Sequence, residues 1–120
     1  MSHVVDIAVE IKSLEALKEA VKELGFEFVE GQKHYKWFGR SVGDYPIPAG
    51  FTAADLGKCS HVVKVPGSEY EIGIVQRGNV FTMLYDFWGP GAKLEKAVPK
   101  LIQMYSVHVA TREARRKGYS

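Results

Sequence analysis

The sequence predicts an α+β fold: an antiparallel sheet of about five strands with two helices on one face, in the order β-α-β-β-β-β-α. Three observations lead there. The chain opens on a period-two apolar pattern, and two segments repeat apolar residues at intervals of three and four. Between those segments lie short apolar runs divided by Gly and Pro. With both helices on one side, the other side of the sheet is expected to be free for recognition.

His3, Val5, Ile7, Val9 and Ile11 alternate with Val4, Asp6, Ala8 and Glu10, which predicts a strand with one buried face. Ser13 stands at the N-cap of the next element. Leu14, Leu17, Val21 and Leu24 follow at helical spacing, Glu15, Lys18, Glu19, Lys22 and Glu23 cover the outside, and Gly25 ends the helix. Residues 26–29 return as a strand. Residues 34–38 predict a further one, aromatic on both faces. From Gly39 to Ser60 the pattern dissolves: Pro46 and Pro48 exclude regular structure in 44–50, and 52–56 allow a single helical turn.

Residues 61–65 predict a strand closed by Pro66-Gly67. Tyr70, Ile72 and Ile74 open the next, and Arg77-Gly78-Asn79 turns it into 80–88 as a β-hairpin. On that second arm Phe81, Met83, Tyr85 and Phe87 face one way, Val80, Thr82, Leu84, Asp86 and Trp88 the other, so the strand is central or covered twice. Gly89-Pro90-Gly91 breaks the chain. Leu94, Val98, Leu101, Tyr105 and His108 then form the stripe of a long helix that Gly118 ends, with a kink or a helix start expected at Pro99.

The length of 120 residues, 46% hydrophobic and 25% charged, suits a single α+β domain over 1–120 with one core. A net charge of +2 selects no partner, although Arg112, Arg115, Arg116 and Lys117 cluster at the end of the second helix. Such a cluster touches phosphates or is a solvated helix end. Cys59 is the single cysteine, so no intrachain disulfide forms and a reducing compartment is expected. No apolar run reaches the roughly 18 residues of a membrane span, and the N-terminus lacks a secretory pattern. The expectation is a cytoplasmic protein without a membrane partner.

The sequence contains no Gly-rich phosphate loop, no HExxH pair, no nucleophile elbow and no Cys-x-x-Cys. Cys59-x-His61 offers two metal ligands or a nucleophile with its base. Zinc would need two more ligands from His3, His34, His108 or carboxylates, so the pair reads as a buried cysteine and a strand-edge histidine. No metal, cofactor or catalytic residue is expected. Tyr105 and Arg112 flank His108 within one turn and suit a small anionic ligand. Asp86, on an apolar strand, needs a donor such as Arg112 or a backbone N–H. Tyr35, Lys36 and Trp37, with Lys33 and Arg40 nearby, combine rings that stack on bases with cations that meet phosphates.

The candidate ligand-binding residues are therefore Tyr35, Lys36, Trp37, Tyr105, His108 and Arg112. They favour a small non-enzymatic binding or adaptor protein that recognises a protein partner or a small anionic ligand such as a nucleotide. The alternatives are a nucleotide-binding protein, in the form of a phage-encoded protein sequestering a signalling nucleotide, and a single-stranded nucleic-acid binder. The mixed charge disfavours the last. Outward apolar positions on 80–88 leave room for a symmetric dimer.

Met1-Ser2-His3 leading into a strand, Leu14-Glu15-Ala16-Leu17-Lys18 and Leu24-Gly25 resemble the start of a family of short proteins of unknown function. Its members are encoded in algal chloroplast genomes, cyanobacteria, other bacteria and phages. Gly57-Lys58-Cys59-Ser60-His61, Tyr70-Glu71-Ile72-Gly73, Tyr85-Asp86-Phe87-Trp88 and the stretch from Ala114 through Tyr119 are similar to its later blocks. The resemblance implies a compact α+β unit and carries no catalytic residues. Chloroplast-type members continue into further β structure, so this chain resembles the shorter bacterial and phage-borne ones.

Overall fold

The structure is a computed structural model that describes residues 4–7, 10–35, 37, 51, 57–87 and 89–118. Lys36, the expected helical turn at 52–56 and most of the long loop lie outside the described residues. The architecture is α+β, with β1 (Val4–Asp6), α1 (Leu14–Glu23), β2 (Glu27–Glu30), β3 (His61–Lys64), β4 (Ile72–Arg77), β5 (Val80–Asp86), a 3₁₀ turn (Gly89–Gly91) and α2 (Ala92–Arg116). Four strands of four to seven residues and the three-residue β1 pair antiparallel in the order β1-β5-β4-β3-β2.

The opening strand is shorter than its alternation predicts. After β1 the chain stays beside β5, with Ile7 N–H donating to Met83 O at 3.2 Å. Ile11 then exchanges both backbone bonds with Phe81, at 2.8 and 2.7 Å. Of the predicted strand at 34–38, the described residues His34, Tyr35 and Trp37 belong to no strand of the sheet. His34 bridges Lys58, Tyr35 N–H donates to Gly57 O at 3.0 Å, and Cys59 N–H donates to Lys33 O at 2.8 Å. This short ladder folds the segment back across the sheet instead of extending it.

α1 begins where Ser13 Oγ accepts from Ala16 N–H at 3.1 Å. It ends in a Schellman turn: Phe26 N–H reaches Val21 O, Gly25 N–H reaches Lys22 O, and Gly25 takes φ 77°, where a side chain would be strained. α2 begins at Ala92 and runs through Pro99, so the helix does not start at the proline. Pro99 is exposed, which leaves the Glu95 carbonyl that loses its donor on the solvent side.

The helices share one face of the sheet. Leu17, Ala20 and Val21 of α1 and Leu94, Val98, Leu101 and Tyr105 of α2 close over Val63, Ile72, Ile74 and Met83. Complete burial of each large aliphatic side chain contributes about 1.5–3 kcal/mol. The opposite face is not free. Val4, Tyr35, Val62 and Leu84 form a second cluster there, with Trp37, Phe51, Cys59 and Val75 packed against it. This corrects the expectation of an open recognition face: β5 is apolar on both sides, and the chain returning through 35, 37, 51 and 57–59 covers the side the helices leave.

Candidate functional site

α2 carries its buried residues up to Tyr105, and from 106 to 116 it has none. The transition is where α1 and α2 meet through polar groups. The Tyr105 hydroxyl, on a side chain only 5% exposed, accepts from Lys12 N–H at 2.9 Å and from Ser13 N–H at 3.2 Å. Both donors precede α1 and have no intrahelical partner. Tyr105 therefore ties α2 to the start of α1, and its oxygen is occupied by backbone.

One turn further, His108 Nδ1 lies 3.0 Å from Glu19 Oε2, and Nε2 lies 3.4 Å from Glu23 Oε2. The second approach lacks hydrogen-bond geometry, since Nε2 is buried without a bonded partner. Arg112 Nη2 donates to Glu19 Oε1, while its Nε is also buried and unbonded. Residues four apart on each helix thus face each other as an acidic and a basic column. Sequence reasoning singled out His108 and Arg112 but missed Glu19 and Glu23. The signal was their own four-residue spacing, which puts two carboxylates on one face of α1.

Beside Arg112 lies a groove of about 590 Å³ whose lining includes Ser13, Val109, Arg112, Arg115 and Arg116, with Glu19 and Glu113 between the cations. Arg116 donates to Glu113 Oε1, and Lys117 Nζ stands 3.9 Å from the other oxygen of that carboxylate. Arg115 has no ion-pair partner among the described residues. Arg112, Arg115 and Arg116 of the basic cluster noted in the sequence thus line a depression, partly neutralised by their acidic neighbours.

Tyr35 and Trp37 do not join this site. Tyr35 is 3% exposed within the cluster on the opposite face of the sheet, and burial pushes its phenol up to about 12. Among the described residues its hydroxyl reaches no full hydrogen-bond geometry, although the Gly57 backbone amide lies close enough to offset part of that rise. Trp37 is half-buried over Gly57, where an added Cβ would lie 3.3 Å from the indole Cδ1. Lys36 lies outside the described residues. The five described candidates therefore fall on two sides of the sheet: the aromatic pair covers core, while Tyr105, His108 and Arg112 come together.

The Cys59-x-His61 pair also separates. Cys59 packs with the second cluster and its Sγ donates to Gln32 O at 3.2 Å. Burial, reinforced by the Glu71 carboxylate, pushes the thiol up to about 11. His61 faces the helix side, its ring 5.4 Å from that of Phe28 and 6.0 Å from that of Phe81. Its Nδ1 accepts from Gly31 N–H at 3.0 Å, and burial holds its pKa below the ordinary value. Cys59 and Val62 share a face although three residues apart, so the backbone shifts phase just before β3 and breaks the i, i+2 relation. Among the described residues no group of three His, Cys, Asp or Glu could hold a metal ion. Asp86 is fully buried, and Arg112, considered as its donor, is committed to Glu19 instead.

Comparison with protein-family models, with curated proteins and with solved structures finds no match to this chain. No helix among the described residues is long and apolar enough to cross a membrane.

Proposed function

We propose that this chain is a small binding protein that recognises an anionic group, on a ligand or on a partner protein, through the groove at the end of α2. The observation that carries this reading is the convergence of Arg112, Arg115 and Arg116 on one depression of about 590 Å³. Guanidinium groups bind carboxylate and phosphate through paired N–H donors. Arg115 has no ion-pair partner among the described residues and leaves donor capacity there. Glu19 and Glu113 hold the remaining donors, so an incoming anion must displace carboxylates, which suits a reversible, moderate affinity.

The volume lies within the usual range for small-ligand sites, and a nucleotide is the second reading because its phosphates would meet the same arginines. None of the described residues that line the groove is aromatic, so they offer a base no ring to stack on, and the phosphate-directed reading stands ahead of it. Isothermal titration with pyrophosphate, nucleoside phosphates and cyclic nucleotides tests both. Heat from any of them that the R115A/R116A double variant abolishes supports the site, and a base-dependent affinity selects the nucleotide reading. Silence across the whole set at micromolar protein would sink the small-anion form. Turnover of nucleotides or esters that His108→Ala abolishes would replace binding with catalysis.

A further inference from the structure

At the opposite end of α2 a second groove runs between the two helices and the edge of the sheet. Its floor is apolar: Leu24 and Phe26 from the α1–β2 turn, Val65 just past β3, and Ala97 of α2. Its rim is a row of lysines, Lys93, Lys96 and Lys100, and the space between measures about 330 Å³. The lysines stand at i, i+3 and i+7, so they follow one side of α2 over two turns, roughly 10 Å. None of them has an ion-pair partner among the described residues, in contrast to Lys18 and Lys64, which are paired. Lys93 passes close over Gly67 at the groove's corner. The ammonium lies 2.7 Å from where a Cβ would be, and the turn at Gly67, with φ 83°, passes beneath it.

An apolar floor beside a one-signed rim selects its occupant by charge as well as by shape. We propose that this groove docks an acidic amphipathic peptide segment of a partner protein, one that seats a bulky apolar side chain on Leu24, Phe26 and Val65 and presents carboxylates to Lys93, Lys96 and Lys100. Carboxylates along one side of a helix recur at the same i, i+3 and i+7 interval as the lysines, so three ion pairs can form together. A membrane surface fits less well, because a narrow concave groove cannot follow a bilayer, and Glu23 and Glu27 stand at the neighbouring ends of α1 and β2. Nucleic acid fits less well because the floor, apart from Phe26, is aliphatic. The site is separate from the arginine-lined groove and does not depend on it.

The test is fluorescence anisotropy with a labelled short helical peptide carrying leucine on one side and glutamate at i, i+3 and i+7 on the other. Two control peptides replace all glutamates by glutamine or the leucines by serine. The parent peptide should bind, and either control should bind at least about tenfold more weakly, since both burial and charge contribute. The K96E/K100E variant, altered at two exposed positions, should lose binding by a similar factor, whereas R115A/R116A should bind like the unaltered protein. Circular dichroism of K96E/K100E should match the parent, and a variant that fails this check is replaced by K96Q/K100Q. Equal binding of the glutamine peptide, unchanged binding by both lysine variants, or tighter binding to phosphatidylglycerol vesicles or to a single-stranded oligonucleotide would overturn the proposal.

Discussion

Gly73, the second residue of β4, is the seat of the Tyr35 ring. A Cβ at position 73 would lie 2.7 Å from Tyr35 Cε1 and 2.9 Å from Cγ, closer than real Cβ contacts come. The glycine therefore lets the returning chain lie flat on the sheet, and the ring takes the place of the side chain that β4 lacks. With Gly73 replaced by Ala, Tyr35 has to leave its site, at a cost of about 1–3 kcal/mol typical of overpacking. Tyr35→Phe should be neutral or stabilising by up to about 1 kcal/mol, because the buried hydroxyl it removes reaches no full hydrogen-bond geometry among the described residues. Urea unfolding of both variants checks the pair, and a marked loss of stability in Tyr35→Phe would show that the hydroxyl has a partner.

Tyr105→Phe should have the opposite effect. It removes the acceptor for the Lys12 and Ser13 N–H groups while leaving the ring in the core. Two part-buried donors lose their partner, so destabilisation of about 1–3 kcal/mol is expected. The midpoint of chemical unfolding measures it, and hydrogen exchange at Lys12 and Ser13 should quicken in the variant. An unchanged midpoint would contradict the staple.

His61 makes stability sensitive to mild acid. Its folded pKa is lowered from 6.5, mainly by burial, so the folded state binds its proton less readily than the unfolded chain. The contribution is fully present above pH 6.5 and is lost as the pH falls from there through the lower folded value. Unfolding free energies measured through this window should decline for the parent protein and decline less for His61→Gln. Parallel curves for the two would exclude His61 as the source.

Cys59 behaves in the reverse sense. Its thiol is raised from 9.0 to about 11, with burial as the first cause, so the folded state holds the proton more tightly. That contribution is present below pH 9.0 and is lost as the pH rises toward 11. Because the thiolate is the reactive species, iodoacetamide should modify the folded protein far more slowly near neutral pH than the urea-unfolded chain. Equal rates would mean that the thiol is not held as described.

Much of the fold was legible because it depends on neighbours in sequence. The α1 cap at Ser13, its stop at Gly25, the Gly78-Asn79 hairpin and the two-sided apolar character of β5 all follow from local spacing, and the coordinates hold each of them. At its described residues the predicted strand at 34–38 did not form, for a reason outside that range. Aromatic residues with strand propensity were captured by a ladder with 57–59 and laid across the sheet, where Gly73 had left room. In the site, His108 and Arg112 could be placed on one stripe of a helix, but their partners could not. Which face of α1 meets that stripe is set by how both helices settle on the sheet.

From its residues alone this chain determines two amphipathic helices, a hairpin and a set of short strands, since each is encoded by apolar periodicity and by capping or turn residues within a few positions. Tertiary structure alone decided that the second sheet face is covered, that Cys59 and His61 part to opposite sides, and that Glu19 and Glu23 meet His108 and Arg112. These outcomes depend on contacts between residues far apart in the chain. Their energies are settled by packing and burial, which no local pattern records.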